Sequence, residues 1–370
     1  MPTLIHLRNQ ILHFGYVLLI KPILFRFNPE FVHDRTVGLG HWLGKFGVTR
    51  FLGRLLFSYA DPTLRQQIGN LYFKNPVGLA AGFDKNSQML NWLPALGFGF
   101  IEVGSLTAKP GSGNPGQHLW RLPKSKGLAV NFGLKNDGVE AIKPRIKKNI
   151  IPVGTNLAFT NDASTSTVPL AIADFAYSFS ALADTGDYFT LNISCPNQTN
   201  DRLFWDPVAL DQLLARLFAI TTTKPVFIKI SPDMTPDIID EVVAVATRYP
   251  IAGFIISNLT KDRNNPRVLD QSVPPVGGMS GKVVAELADR AIAQVYKKTG
   301  GQYTIIGCGG IFSATDAYHK IGLGASLLQL VTGLVFEGPQ LVSEINLGLA
   351  KLLRQNGYKN IQEAVGWKGR

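Results

Sequence analysis

One stretch of the chain ends a β-rich apolar run in side chains that could do chemistry. Residues 188–193 lead into a cluster with two amides, a hydroxyl and a thiol, contributed by Asn192, Ser194, Cys195 and Asn197. A thiol can accept a proton or attack a carbon atom, and amides can hold a polar ligand. The same residue types are common in turns, so the cluster alone does not distinguish a binding site from a strand-to-loop turn.

The elements around this cluster predict a parallel sheet that closes on itself. Eight apolar runs recur, several of them uninterrupted, as in parallel strands that are covered on both faces. Helical patterns fall between most of them, for example at 210–221, 237–248 and 282–298, and the long gap at 109–149 is expected to carry extra hairpins over the barrel mouth. The alternation predicts an α/β fold, a (β/α)8 TIM barrel over residues 63–370. The predicted strands are 76–81, 100–106, 152–157, 188–194, 226–230, 253–257, 304–307 and 326–330.

The carboxyl ends of the predicted strands share one character. In a barrel these ends meet at one face, which is where catalytic residues lie. Here they carry small residues, amides and two lysines, a combination that stability alone does not explain. The segments are Ala80-Ala-Gly-Phe-Asp-Lys85, Gly104-Ser-Leu-Thr107, Gly154-Thr-Asn156, Asn192-Ile-Ser-Cys195, Lys229, Ser257-Asn258, Gly307-Cys-Gly-Gly310 and Val331-Thr-Gly333.

Glycine-rich loops follow the last two predicted strands, where barrels commonly bind a phosphate. Gly307-Cys-Gly-Gly310 precedes a predicted helix at 313–321, and Thr332-Gly333 follows the eighth strand. Backbone N–H groups there could bind the anion of a substrate or of a cofactor. Residues 111–116 spell G-x-G-x-x-G, but Pro115 and the lack of a βαβ unit indicate a loop rather than a dinucleotide site.

Composition narrows the possible partners. The chain has 370 residues, 45% hydrophobic and 17% charged, so it can bury a large core. Its net charge of +11 indicates an anionic partner, and nucleic acid, acidic lipid and a phosphorylated cofactor all qualify. Two cysteines exclude a disulfide scaffold and suit a reducing compartment. The six histidines are scattered without a metal-ligand motif, so no metal site is expected.

Residues 1–62 are expected to form a separate amphipathic helical segment. The run 11–27 is apolar, but it is too short to span a bilayer and is interrupted by Lys21 and the helix-stopping Pro22. A second helical stretch is predicted at 33–59, and residues 1–60 carry seven Lys and Arg against two acidic side chains. Helices that are apolar on one side and basic on the other favour insertion into one leaflet of an anionic membrane. The alternative is a helical hairpin packed on its own core.

Six of these motifs, in this order, resemble dihydroorotate dehydrogenase over about residues 70–350, and the segment 27–33 is similar to the helical extension of its quinone-reducing class. The resemblance implies an FMN-containing (β/α)8 barrel that oxidises dihydroorotate to orotate in pyrimidine synthesis. It further implies a membrane quinone as acceptor, a peripheral location on the cytoplasmic face of the cell membrane and no nucleic acid partner. The motifs are Ala81-Gly-Phe-Asp-Lys85, Gly104-Ser-Leu-Thr107, Asn192-Ile-Ser-Cys-Pro-Asn197, Lys229-Ile-Ser-Pro-Asp233, Gly277-Gly-Met-Ser-Gly281 and Ile306-Gly-Cys-Gly-Gly310.

The resemblance also implies roles for individual residues. Cys195 would be the catalytic base, and His33 and Arg121 would line the quinone tunnel. The substrate would be held by Lys85, Asn131, Gly133, Leu134, Asn192, Asn197 and Asn258. FMN would be surrounded by Ala81, Gly82, Lys85, Ser105, Asn156, Asn192, Lys229, Ser257, Gly281, Gly310, Val331 and Thr332.

The residue types suit this chemistry. Oxidation removes a C5 proton and a C6 hydride, so one face of the substrate ring needs a base and the other a flavin. Lys229 would place a fixed positive charge where negative charge develops on the flavin, and Lys85 would pair with the substrate carboxylate. Nearby lysines are expected to lower the thiol pKa of Cys195, leaving a useful fraction as thiolate near neutral pH. Cys308 is expected to be a buried apolar thiol.

Some positions depart from the family pattern. Quinone-dependent members usually have serine in place of Cys195, and cysteine is typical of the soluble classes. Val130 occupies a usual asparagine position, with Asn131 one place later, and Leu259 replaces a usual threonine. The alternatives are a flavin barrel that uses fumarate or NAD as acceptor, or one that oxidises a related cyclic amide or enoate. A non-enzymatic membrane or nucleic-acid binding protein would leave the polar strand ends unexplained.

Overall fold

Eight parallel strands form a closed barrel in the computed structural model, which describes residues 2–369. The strands follow one another around the ring in sequence order, and β8 closes it by pairing with β1. Most strand residues are buried on both faces, which explains their uninterrupted apolar runs. The predicted (β/α)8 barrel and all eight predicted strands are confirmed. The strands are β1 (Val77–Leu79), β2 (Phe100–Leu106), β3 (Val153–Leu157), β4 (Tyr188–Asn192), β5 (Val226–Ile230), β6 (Gly253–Ile256), β7 (Thr304–Cys308) and β8 (Leu327–Leu330).

Helices cover the outside of the barrel after most strands. Only short helical turns follow β1 and β2, at Leu93–Leu96 and Val139–Ile142. The helix predicted from residue 210 begins earlier because the Asp206 side chain accepts a hydrogen bond from the N–H of Ala209 at 2.8 Å. The helices after β3 to β8 are Val168–Ala181, Pro207–Phe218, Pro236–Ala246, Ala285–Lys298, Ala314–Gly322, Thr332–Glu337 and Leu341–Gln355.

The long segment between β2 and β3 forms the predicted hairpin. Leu119–Leu122 pairs antiparallel with Gly127–Val130, and the two-residue strand Gly278–Met279 adds to its edge. Residues 111–116 form a loop, as expected, and an isolated bridge between Gly111 and Asn136 joins its start to the segment that follows the hairpin. This small sheet borders the carboxyl end of the barrel.

The N-terminal helical segment, defined here as residues 2–57, differs from its prediction in two places. The stretch 33–59 is not one helix, because Phe46 is extended (φ −103°, ψ 134°) and separates Pro29–Lys45 from Gly47–Phe57. Pro22 does not stop the preceding helix, since a wider π-helical turn at Tyr16–Ile20 lets the path continue to Leu24. The first helix is Pro2–Gly15. No helix among the described residues is long and apolar enough to cross a bilayer.

Glycines let this segment pack directly on the barrel. A Cβ at Gly53 would lie 2.7 Å from the Trp92 ring, and one at Gly40 would lie 2.2 Å from the end of Met89. Arg8 fixes the first helix by donating to the hydroxyl of Ser343 at 2.7 Å. The segment therefore forms a wall at the carboxyl end of the barrel.

Candidate active site

Two adjoining cavities occupy the carboxyl end of the barrel. The larger, about 640 Å³, lies between the strand ends and the N-terminal helical segment. The smaller, about 90 Å³, lies under the glycine-rich loops after β7 and β8. Lys229, Asn258 and Thr332 line both, so the two spaces meet at these side chains.

Most of the predicted site residues meet at these cavities. The smaller one is lined by Ser257, Gly281 and Gly310. His33 and Arg121 line the outer part of the larger cavity, where most of the other side chains are apolar. The rest of its predicted lining consists of Ala81, Gly82, Lys85, Ser105, Gly133, Leu134, Asn192, Cys195, Asn197, Lys229, Asn258, Val331 and Thr332.

Two predicted ligands, Asn131 and Asn156, line neither cavity. The side-chain oxygen of Asn131 accepts from Asn114 Nδ2 at 2.9 Å, and the same nitrogen donates to the Asn197 carbonyl at 3.1 Å. Asn131 therefore lies behind the rim, where it orients Asn114 instead of facing the open space. Asn156 lies below the floor and accepts a hydrogen bond from the hydroxyl of Ser105.

The floor of the larger cavity is a hydrogen-bonded set of polar side chains from different strands. Asn192 donates to the hydroxyl of Ser105 at 2.9 Å, which links the ends of β4 and β2. Asn258, after β6, donates to Ser194 Oγ at 2.9 Å and to Asn192 Oδ1 at 3.3 Å. These bonds hold the amides in defined orientations, as an oriented ligand site requires.

The two lysines at the site have no anionic partner among the described residues. Lys229 is only 4% exposed, and its ammonium group makes neither a hydrogen bond nor an ion pair there. Lys85 lies with its Nζ 3.7 Å from the centre of the Phe132 ring, and burial lowers its pKa to about 8. Because an unpaired buried charge is unfavourable, this arrangement indicates a site for anionic ligands.

Cys195 lines the larger cavity, but its protonation differs from the prediction. Burial raises the pKa of its thiol to about 11, which outweighs the opposing effects of Lys229 and Lys261. The expectation of a useful thiolate fraction near neutral pH is therefore wrong for the protein without ligands, because the depth of the site dominates over the nearby positive charges. Cys308 also differs from its prediction, since it is half-buried and lines the smaller cavity.

The smaller cavity suits a phosphate group. The backbone N–H groups of Gly310, Thr332 and Gly333 have no acceptor in the described part of the chain. At Gly82, which has a φ of +106°, a Cβ would project into open space at the larger cavity. The unpaired Lys229 ammonium lies between the two spaces. These residues therefore fit a phosphorylated, planar cofactor.

The helix whose N-terminus faces the smaller cavity with unbonded N–H groups is Thr332–Glu337, not the helix predicted at 313–321. In the helix Ala314–Gly322 the first turn is satisfied internally, since Ser313 Oγ accepts from the N–H of Asp316 at 3.1 Å. Asp316 itself receives Lys282 Nζ at 2.7 Å. The helix Thr332–Glu337 supplies the free N–H groups instead.

Sequence reasoning missed two contributors to the site. Phe132 supports Lys85 through its ring face, and nothing in the sequence marked it. Glu102 is fully buried beneath the floor and accepts from Asn156 Nδ2 at 2.7 Å. Glu102 could have been recognised from the sequence as a lone acidic residue inside an apolar strand.

The fold and the site together define an enzyme of the (β/α)8-barrel class with a cleft for a phosphorylated ligand. Among residues 2–369, no three His, Cys, Asp or Glu side chains come together as they would around a metal ion. The family model described as dihydroorotate dehydrogenase matches residues 63–353. The chain belongs to the dihydroorotate dehydrogenase family.

Individual relatives are similar over nearly the whole chain. A protein of Gloeobacter violaceus named dihydroorotate dehydrogenase (quinone) is 38% identical over 94% of this chain and 98% of its own length. One of the same name from Christiangramia forsetii is 39% identical over 90% of this chain and 97% of its own length. The crystal structure of DHODH from Eimeria tenella in complex with ferulenol superposes with a TM-score of 0.83 at 28% identity, covering 92% of this chain and 96% of that one.

Proposed function

We propose that the protein oxidises dihydroorotate to orotate in pyrimidine synthesis, with FMN as hydride acceptor and a membrane quinone as final electron acceptor. The observation that carries the proposal is the convergence of a thiol and two unpaired ammonium groups on one cavity, beside a phosphate-sized cleft. The names of the relatives agree with it.

FMN would bind across both cavities. Its phosphate would accept from the N–H groups of Gly310, Thr332 and Gly333, and its ring would lie against Gly82 and Lys229. When bound, FMN supplies a two-electron hydride acceptor. Lys229 contributes a fixed positive charge that needs no reorganisation during the reaction. The other proposed neighbours of FMN are Ala81, Lys85, Ser105, Asn192, Ser257, Gly281 and Val331. Asn156, which the sequence analysis placed among them, lies below the floor and would not contact FMN itself.

The substrate would bind above the floor of the larger cavity. Dihydroorotate has a carboxylate for Lys85 and ring amide groups for the floor amides Asn192 and Asn258. The Oδ1 atom of Asn197 is buried without a partner among the described residues, so it is available for a ligand N–H. Gly133 and Leu134 would form the adjoining wall, and Asn131 would act through Asn114.

Cys195 would remove the C5 proton. The reaction transfers this proton to Sγ, so only the thiolate form can act as base. With a thiol pKa of about 11, roughly one Cys195 in a thousand is thiolate at pH 8. The ion pair between Lys261 and Asp201 joins the loop after Asn197 to the loop after β6. The loop after Asn197 would help to exclude water from Cys195.

We expect the KM for dihydroorotate to rise with pH above about 8. Lys85 carries its positive charge below its pKa of about 8 and loses it as the pH rises. Above that pKa the charged fraction of Lys85 falls by up to tenfold per pH unit. Loss of the charge removes the partner of the substrate carboxylate. Steady-state KM values from pH 6 to pH 10 test this. In Lys85→Arg, whose guanidinium stays charged over this range, the rise should disappear. An equal rise in both proteins would contradict the assignment.

The quinone would reach the flavin between the N-terminal helices and the barrel. His33 Nε2 lies 2.9 Å from the carbonyl oxygen of Phe83, and Arg121 stacks on Phe25 at 4.6 Å from its ring centre. Both side chains line an outer passage whose other side chains are mostly apolar. This passage favours a quinone over fumarate or NAD as acceptor, although Cys195 is typical of the soluble classes. We therefore propose that residues 1–62 form a unit for membrane and quinone binding, attached to a catalytic unit at 63–370.

We propose a peripheral location on the cytoplasmic face of the cell membrane, bound to anionic lipid. Most of the exposed large apolar side chains in the described chain lie in the N-terminal helical segment. The double variant Phe51→Ser/Leu55→Ser should reduce binding to vesicles with anionic lipid by about 10-fold or more, because it removes apolar area from the inserted face. Phe51 and Leu55 are 64% and 61% exposed and do not line the cavities. Co-sedimentation measures the binding.

The control for this prediction is Val208→Ser. Val208 lies on a barrel helix and is 64% exposed, as Phe51 is. It should leave vesicle binding unchanged. If the double variant binds like the wild type, or Val208→Ser loses as much binding, the N-terminal helical segment is not the membrane contact.

Turnover with different acceptors tests the proposed function. The purified protein with FMN is given dihydroorotate without oxygen, followed by a soluble quinone, fumarate or NAD, and orotate is measured. The proposal expects orotate formation sustained by the quinone. Turnover with fumarate or NAD alone would overturn the quinone assignment, and failure of dihydroorotate to reduce the flavin would overturn the substrate.

A further inference from the structure

A buried carboxylate lies at the base of the polar site. Glu102 is the acidic residue of β2, it is fully buried, and its side chain points into the barrel beneath the cavity floor. Its Oε1 accepts from Asn156 Nδ2 at 2.7 Å. Its Oε2 accepts from Gln329 Nε2 at 2.8 Å, Thr190 Oγ1 at 3.0 Å and Tyr188 Oη at 3.3 Å. The carboxylate therefore receives four donors from three other strands.

A carboxylate can only accept hydrogen bonds. Glu102 therefore determines which group donates and which accepts in each hydrogen bond between it and the cavity floor. Because Glu102 requires a donor, Asn156 turns its NH2 group down and its oxygen up. The hydroxyl of Ser105 then donates to Asn156 Oδ1, which leaves its own oxygen to accept from Asn192 Nδ2 at 2.9 Å.

The same order of donors and acceptors continues to Asn258, the last amide of the floor. With its NH2 group turned to Ser105, Asn192 presents Oδ1 to Asn258 Nδ2 at 3.3 Å and to Ser194 Oγ at 2.7 Å. The Oδ1 atom of Asn258 accepts from the N–H of Leu259 at 2.9 Å. Both amides line the larger cavity, so their orientation decides where donors and acceptors face a ligand.

We propose that Glu102 is a positioning residue that sets the donor and acceptor pattern of the floor amides through the chain Asn156, Ser105, Asn192 and Asn258. The inference rests on the proposed function only in its choice of ligand. It assigns Glu102 a role in ligand recognition, although Glu102 touches neither cavity. A purely structural Glu102 would stabilise the barrel without controlling ligand affinity.

Replacement of Glu102 by glutamine should reverse this chain. Three donors converge on Oε2 and one on Oε1, so the new NH2 group of the glutamine faces the single donor, Asn156. Asn156 must then rotate to present its oxygen downward, and Ser105 and Asn192 must exchange their roles in turn. Glu102→Gln is expected to weaken orotate binding by about 10- to 100-fold. The reversed floor amides would place donors against ligand donors and acceptors against ligand acceptors.

A second substitution should restore the original direction. In Glu102→Gln/Asn156→Asp, the new aspartate accepts from the glutamine below and from Ser105 above, so the upper bonds return to their wild-type sense. The double variant should bind orotate within about threefold of the wild type. Asn156→Asp alone places two carboxylates against each other and should be worse than the double variant.

Isothermal titration of orotate into the FMN-loaded proteins tests the inference, with thermal unfolding measured in parallel. Weak binding by Glu102→Gln and recovery in the double variant are the expected results. Wild-type affinity in Glu102→Gln, or weak binding in the double variant despite a folded barrel, would overturn the inference. If Glu102→Gln fails to fold, the comparison of Asn156→Asp with the double variant remains, and lack of recovery there would overturn it. Failure of the wild type to bind orotate would overturn the proposed function instead.

Discussion

Cys195→Ala should lower kcat with dihydroorotate by about 100- to 10,000-fold while FMN stays bound, because the substitution removes the proposed proton acceptor and leaves both lysines in place. Cys195 lines the larger cavity together with Lys85 and Lys229. The visible spectrum of the purified variant reports bound flavin, and steady-state turnover with a quinone reports kcat. A variant that loses FMN together with activity would indicate a structural thiol.

Cys195→Ser is the matched comparison for this prediction. A hydroxyl group is more difficult to deprotonate than a thiol, so the variant should keep weak activity with its pH–rate profile moved to higher pH. An unchanged profile would show that Cys195 is not the base. The burial that raises the thiol pKa to about 11 acts on the serine as well, so the loss of rate should be large throughout the accessible pH range.

Lys229→Met should lower kcat by about 100- to 1,000-fold and weaken FMN binding, because it removes the unpaired buried charge between the two cavities. Without FMN, the variant should be more stable than the wild type by about 1–3 kcal/mol, since an uncompensated ammonium is replaced by an apolar side chain of similar length. Thermal unfolding with and without FMN measures both effects.

A second buried lysine provides the control. Lys320 is 2% exposed, but its ammonium is paired with Asp289 at 2.6 Å and lies outside the two cavities. Lys320→Met should therefore destabilise the protein, because it removes the closer of the two basic side chains that face Asp289 and leaves only His319 at 3.5 Å, and it should leave FMN binding intact. If both substitutions change stability in the same direction, the account of Lys229 as a charge waiting for an anionic ligand is wrong.

The barrel was predictable because its signal is local and repeated. Parallel strands buried on both faces read as apolar runs, and the polar residues at their ends mark the carboxyl face directly. Lys85, Asn192 and Lys229 therefore fall where strand counting places them. The division of the helical stretch at Phe46 was not predictable, since the two helices it separates pack against Met89 and Trp92, which are distant in the sequence.

Properties that depend on depth or on side-chain direction were not predictable from sequence. Lysines near Cys195 are present as expected, but the thiol pKa follows from how completely the cavity is buried. Asn131 and Gly133 are close in the chain, yet only Gly133 lines the cavity because Asn131 bonds to Asn114. The bonds that join Glu102 to Asn156 become visible only when the barrel closes.

Single-turnover reduction of bound FMN by saturating dihydroorotate, followed without oxygen by stopped-flow absorbance from pH 6 to pH 10, tests the central claim most directly. The account predicts complete loss of the flavin absorbance, with a rate constant that rises as the pH rises, because burial raises the pKa of the Cys195 thiol and the thiolate fraction grows with pH below that pKa. A flavin that keeps its colour would contradict the proposed substrate. A rate constant that does not change with pH would contradict Cys195 as the base.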